Sequence, residues 1–189
     1  TTLTMSGIPS CPTIVRAYVW YTVSYQSLPA SSSVVINSAT VPAVNIGQHG
    51  QKCWGELGTV VFRADVTANI TAPGNGNYTI DITGLTNKNW EVDGVTMMII
   101  YRDNGATYQG SLVLWDGANT CSSGGCSINQ TMSGIAACGP STLARAFLVV
   151  SDMQTASISP PTHASTLNGA TAQYPNDFYN FDVVNTTVT

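Results

Sequence analysis

Apolar and polar residues alternate along this chain with a period of two. Val15, Ala17, Val19 and Tyr21 fall on one side of an extended segment, with Arg16, Tyr18, Trp20 and Thr22 on the other. Val60, Phe62, Ala64 and Val66 alternate in the same way with Val61, Arg63, Asp65 and Thr67. No stretch sustains the 3.6-residue period of a helix, and segments rich in Val, Ile, Thr, Tyr and Trp recur between clusters of Gly, Pro, Asn and Ser. The pattern predicts strands at Ile14 to Tyr25, Val34 to Asn37, Thr40 to Val44, Thr59 to Val66, Tyr78 to Thr83, Val95 to Tyr101, Gly110 to Trp115, Leu143 to Val150 and Phe178 to Val188. About nine strands with long polar connections suit an all-β, two-sheet β-sandwich of jelly-roll type better than a barrel.

Two strands break the alternation. Val95 to Tyr101 and Phe147 to Val150 are apolar on both faces, so each should be covered twice, by its own loops or by a neighbouring molecule. Pro73-Gly74-Asn75-Gly76, Asp93-Gly94, Asn104-Gly105 and Asp116-Gly117 supply turn positions between strands. Cys121 to Gly139 and Ser157 to Pro175 read as long loops, and no repeat of 20 to 50 residues is visible. The division expected is an N-terminal extension over residues 1–10 and a single sandwich domain over 11–189, a length that suits one core.

Charge narrows the function. Only 8% of the residues are Asp, Glu, Lys or Arg, against roughly a quarter in ordinary soluble domains, so hydroxyls and amides must form the surface. Arg16, Lys52, Arg63, Lys88, Arg102 and Arg145 are scattered singly and the net charge is -4, which leaves nothing to track a phosphate backbone and argues against nucleic acid as a partner. No apolar run approaches the ~20 residues of a membrane-spanning helix. The chain starts at Thr1 with no basic and apolar leader, the pattern expected of a mature exported form, and the localisation expected is extracellular or cell-surface.

Cys11, Cys53, Cys121, Cys126 and Cys138 fit an oxidising compartment. Cys121 and Cys126 bracket Ser-Ser-Gly-Gly, a loop short and flexible enough to close, and are the first choice for a disulfide; two of the other three pair, leaving one free or bonded to another chain. Metal ligation would need CxxC pairs or His at ligand spacing, and neither is present. Asp103-Asn104-Gly105 lacks the further acidic ligands of a calcium loop, leaving at most a weak Ca²⁺ site; no cofactor is expected.

Taken together, Ile14 to Tyr21, Cys53-Trp54, Phe62 to Thr67, Gly76 to Ile80, Asp93 to Tyr101 and Leu112 to Gly117 resemble a family of secreted bacterial and archaeal surface proteins without assigned function. Its domains carry the progression Ala-x-Leu-Tyr-Trp, Cys-Trp, Tyr-x-Ala-Asp-Val-Thr, Gly-x-x-Leu-x-Val-x-Tyr and Asp-Gly. The likeness covers about residues 14–117, implies a β-sandwich at a cell surface, and carries no catalytic set to transfer. The first thirteen residues and the Cys121 to Cys138 loop depart from it.

The ends carry the functional clue. Thr1 to Gly7 is extended-type sequence with Leu3 and Met5 on one side, and Gly7-Ile8-Pro9 breaks it from the body. Such a strand pairs either with its own sheet edge or with the edge of the next subunit, where main-chain hydrogen bonds and alternate apolar pockets hold it. Thr1, Leu3, Met5 and Ile8 are the candidate intersubunit residues. Phe181, Val183, Thr186 and Val188 make the C-terminus a second, weaker donor. Subunits that each donate a strand form an open head-to-tail homopolymer. The plain alternative is that both ends are ordinary edge strands of a monomer.

Other chemistries are thinner. A glycosidase needs facing carboxyls, and the chain offers only Glu56 and Glu91, each shortly after a Trp. Ser-based hydrolysis needs a Gly-x-Ser-x-Gly elbow beside His49 or His163, and there is none. Trp20, Trp54, Trp90 and Trp115 would serve a carbohydrate-binding module as stacking surfaces, although in an all-β chain such residues more often fill core and rim. Sequons begin at Asn69, Asn77, Asn129 and Asn185; Asn77 and Asn129, in Gly-rich surroundings, are the better acceptors. The expectation is therefore a non-enzymatic subunit of an extracellular filament or surface appendage, with a monomeric adhesin or carbohydrate-binding module as the alternative. Glycans or a cell surface are further candidate partners.

Overall fold

In the computed structural model the residues described are 1–50, 55–85, 90–107, 110–119, 131, 133, 142–153, 164–167, 170–173 and 178–188, with backbone alone from residue 142 onward. Among them the chain is all-β apart from one 3₁₀ turn, Thr67–Asn69. It divides into two units, Thr1–Asn129 and Gln130–Thr189.

The first unit contains β1 (Thr2–Met5), β2 (Thr13–Tyr25), β3 (Ser32–Ile36), β4 (Ala39–His49), β5 (Gly58–Asp65), β6 (Gly76–Thr83) and β7 (Trp90–Arg102). They form one antiparallel sheet in the order β1-β6-β3-β4-β5-β2-β7, which curls until its two outer strands face each other, a nearly closed, barrel-like arrangement. Closure follows from the alternation. Each strand turns apolar side chains to one common face, and a sheet this wide buries that face by rolling onto itself. Ala17, Val19, Tyr21 and Val23 of β2 meet Val60, Phe62 and Ala64 of β5 on one side of the interior, with Val34, Ile36, Tyr78 and Ile80 contributed by β3 and β6. Tyr21 and Phe62 stack with centroids 5.4 Å apart.

Tyr21 also shows how a polar tip is accommodated. Its hydroxyl donates to Ser32 Oγ at 2.7 Å, and Ser32 donates in turn to the Thr83 carbonyl at 3.0 Å. Burial pushes the Tyr21 phenol up to about 12, with the Ser32 bond working in the opposite direction. Because the folded state holds this proton more tightly than the unfolded chain, the contribution is fully present below pH 10 and is lost as pH rises from about 10 to about 12. Alkaline titration of stability should therefore slope downward in that window, and Tyr21→Phe should remove part of the slope.

Several predicted elements differ. β3 and β4 close through Asn37 and Ser38, both at positive φ (46° and 73°), a two-residue hairpin turn without glycine. Asp93-Gly94 is not a turn: it lies inside β7, where Asp93 is the extra residue of a bulge between the pairs Thr22↔Gly94 and Val23↔Val92. Ser24 Oγ donates to Asp93 Oδ2 at 2.6 Å. Gly74 and Gly76 do take positive φ, 95° and 140°. The predicted strand Gly110 to Trp115 makes no ladder and runs as an irregular strap, because side chains rather than main chain hold it to the sheet.

In the second unit β8 (Thr142–Met153) pairs antiparallel with β11 (Phe178–Val188), and β9 (Ala164–Leu167) with β10 (Ala170–Gln173). The last two fall inside Ser157 to Pro175, where the composition predicts a loop.

Candidate functional site

β1 is the first four-residue strand, and it ends the sheet. Thr2, Leu3, Thr4 and Met5 lie opposite Thr79, Tyr78, Asn77 and Gly76 of β6. The Thr1 α-amino group donates to the Ile80 carbonyl and the Ile80 N–H to the Thr1 carbonyl, both at 2.8 Å. Alternation from that reciprocal pair makes Leu3–Tyr78 and Met5–Gly76 the next hydrogen-bonded pairs. It turns the main-chain groups of Thr2 and Thr4 away from β6, onto an edge that no described strand pairs. Leu3 and Met5 are half-buried and pack against the core; Thr2 and Thr4 are exposed. Thr4 donates to Asn77 Oδ1 at 2.9 Å.

Past the strand the hold continues by side chain. Asn75 Oδ1 accepts from the Ile8 N–H at 2.9 Å, and Asn75 Nδ2 donates to the Ile8 carbonyl at 2.6 Å, a two-pronged substitute for another ladder pair. Gly7, at φ +82°, turns the chain so that Ile8 can reach it. Between the free edge of β1 and β7 lies a cleft of ≈ 350 Å³ lined by Thr4 to Ile8, Ile99 and Tyr101. The four sequence-predicted residues Thr1, Leu3, Met5 and Ile8 are thus brought onto one edge, in this chain its own β6 edge. The other terminus, predicted as a weaker donor, is paired along β11 with β8, from Phe178↔Met153 to Val188↔Thr142.

A second cluster, on the outer face of β2 and β5, was not foreseen. Asp116 Oδ2 accepts from Trp20 Nε1 at 2.9 Å and from Arg63 at 2.7 Å, while the Arg63 guanidinium sits 5.2 Å from the Tyr18 ring centroid. The strap comes so close at Gly47 that a Cβ there would stand 2.6 Å from the Ala118 nitrogen. Trp20 is left 9% exposed. Sequence placed Tyr18, Trp20 and Arg63 on the outward face; nothing local pairs them with an Asp 53 and 96 residues away. Asp116→Ala removes a half-exposed ion pair and orphans the Trp20 N–H, at a cost of about 1.5–3 kcal/mol. A red-shifted Trp emission and faster proteolysis within residues 107–119 should accompany it.

The remaining candidates are dispersed. Cys11 is an exposed free thiol in the connection between β1 and β2; Cys53, Cys121, Cys126 and Cys138 lie outside the described residues, as do Trp54, His163 and Asn129. Asn77 is exposed within β6 rather than in a loop, Asn69 is half-exposed at the end of the 3₁₀ turn, and Asn185 faces Arg145 across β11 and β8. Glu91 is exposed on β7; Glu56 is half-buried with Oε2 unpartnered, and no hydrogen bond or ion pair among the described residues joins the two. Trp90 Nε1 donates to the Ser27 carbonyl at 2.6 Å, and Trp115 is 39% exposed. Asp103 Oδ1 accepts from the Gly105 N–H at 2.9 Å, a turn contact, and no group of three or more His, Cys, Asp or Glu that would suit a metal is found among the described residues. No described helix is long and apolar enough to cross a membrane. Comparison of the chain with protein-family models, with curated proteins and with solved structures found no match to any of them.

Proposed function

We propose that this chain is a non-enzymatic structural subunit of an extracellular filament or surface appendage, in which β1 of one molecule completes the β6 edge of the next. The observation that carries the reading is the design of β1. It is short and amphipathic, paired among the described strands with β6 alone, and joined to β2 through residues 6–12, which belong to no element. A strand so mounted makes the same contacts whether its acceptor belongs to its own chain or to a like one.

Other features agree with assembly at a surface. Low charge weakens the repulsion between copies, and the open main chain of Thr2 and Thr4 marks an edge that pairing would consume. An exposed Cys11 within the connection would suit a covalent tie between neighbours. With the same proposal go secretion, the kinship to the surface-protein family, disulfides in the long loops and sequon glycosylation. The two-sheet jelly-roll sandwich expected over residues 11–189 also belongs here, and the packing of β3 and β6 side chains onto those of β2 and β5 supports it.

One observation favours the second reading, a monomeric adhesin or carbohydrate-binding module: Trp115, 39% exposed, stands on the strap with Leu112, 56% exposed. Negative-stain electron microscopy of the secreted material separates the two. Filaments that disappear when residues 1–8 are removed are expected; a dispersed particle that binds a glycan array through Trp115 would overturn the polymer reading.

A further inference from the structure

We infer that assembly proceeds by exchange: β1 docked on its own chain is a plug that must leave before a second copy's β1 can enter. This rests on the filament reading above and concerns how its site is controlled. The β6 edge decides between exchange and simple addition. It is already paired from Gly76 to Thr79 by β1 of the same chain, so an incoming strand can take that edge only where β1 already lies.

The plug is weakly mounted. Its ladder is four residues long, Leu3 and Met5 are only half-buried, and the Asn75 clamp on Ile8 is exposed. Segments of this kind open without global unfolding. The connection sets the balance. Residues 6–12 must carry the chain from β1 at one edge of the sheet to β2, one strand inside the other edge, and Pro9 and Pro12 leave little slack. In the exchanged polymer every contact of β1 is remade in trans, and the connection is the part that differs.

Two consequences follow. Asn75→Ala should speed assembly of closed monomer roughly 5- to 100-fold, since it loosens the plug, yet leave the monomer concentration at equilibrium unchanged within about twofold, because the same clamp is lost in trans. Removing Ser10 and Cys11 shortens the connection by about 7 Å, more than one strand spacing. That variant should assemble without a stable monomer.

The deciding experiment is a lock. Thr2 and Thr79 are a facing, non-hydrogen-bonded pair, the geometry a disulfide spans. A Thr2→Cys, Thr79→Cys variant in a Cys11→Ser background is oxidised as dilute monomer, then concentrated with and without reductant, beside the Cys11→Ser parent. Exchange predicts no assembly while oxidised and parental assembly once reduced. Equal assembly in both states overturns exchange and leaves the filament reading standing. A parent that never assembles overturns the filament reading and this inference with it.

Discussion

Removal of residues 1–8 should abolish the proposed assembly while the first unit stays folded. The interior formed by β2, β3, β5 and β6 does not depend on β1: none of the fully enclosed side chains belongs to it, and β1 contributes only the half-buried Leu3 and Met5 from the rim. Losing that partial burial and a short ladder should cost about 2–4 kcal/mol, out of the 5–15 kcal/mol common for domains of this kind. The truncated chain is therefore expected to remain soluble, to melt several degrees lower, and to present the bare edge at Gly76, Tyr78 and Ile80. Full-length Leu3→Asp, Met5→Asp should behave alike, since a carboxylate has no partner in either pocket. A synthetic peptide of the first eight residues should bind the truncated chain and restore its melting temperature. Filaments formed by the truncated chain would show that the joint lies elsewhere.

Phe62→Ala is the substitution with the largest expected effect on stability. Phe62 is 1% exposed and stacked on Tyr21 at an interplanar angle of 20°. Truncation deletes an enclosed ring, leaves a cavity between β2 and β5, and removes the ring partner, for a loss of about 3–5 kcal/mol. Chemical denaturation monitored by far-ultraviolet circular dichroism reads it directly. Assembly should fail together with the fold, in contrast to the β1 variants, which lose assembly alone. A loss under about 1 kcal/mol would mean that the curled sheet does not enclose this residue.

The strands were legible where one face is buried. Alternation at Ala17, Val19 and Tyr21, and at Val60, Phe62 and Ala64, marked the inward residues correctly, because a period of two is imposed by the pleat itself. Val15 falls out of that pattern and is 39% exposed, because it is the extra residue of a bulge between the pairs Ile14↔Tyr101 and Arg16↔Ile100. Composition misled at Ser157 to Pro175, where two short strands sit among Ser, Thr and Pro, and at Asp93-Gly94, where a turn dipeptide is absorbed into a bulge. The strap was missed for a different reason. Leu112 to Trp115 has strand-like residues, yet its attachment depends on Asp116 meeting Trp20 and Arg63, partners remote in sequence. Of the first strand, its extent and its inward pair were readable from Leu3, Met5 and the Gly7-Ile8-Pro9 break. The Asn75 clamp was not, because an asparagine in a Gly-rich turn is ordinary until Ile8 is placed against it.

Sedimentation velocity of the intact chain, concentrated in the absence of reductant, tests the central claim most directly. An open series of species that lengthens with concentration is what a molecule completed by its like must give. A lone 19.9 kDa boundary that persists at every concentration would mean that each chain finishes its own sheet and builds nothing.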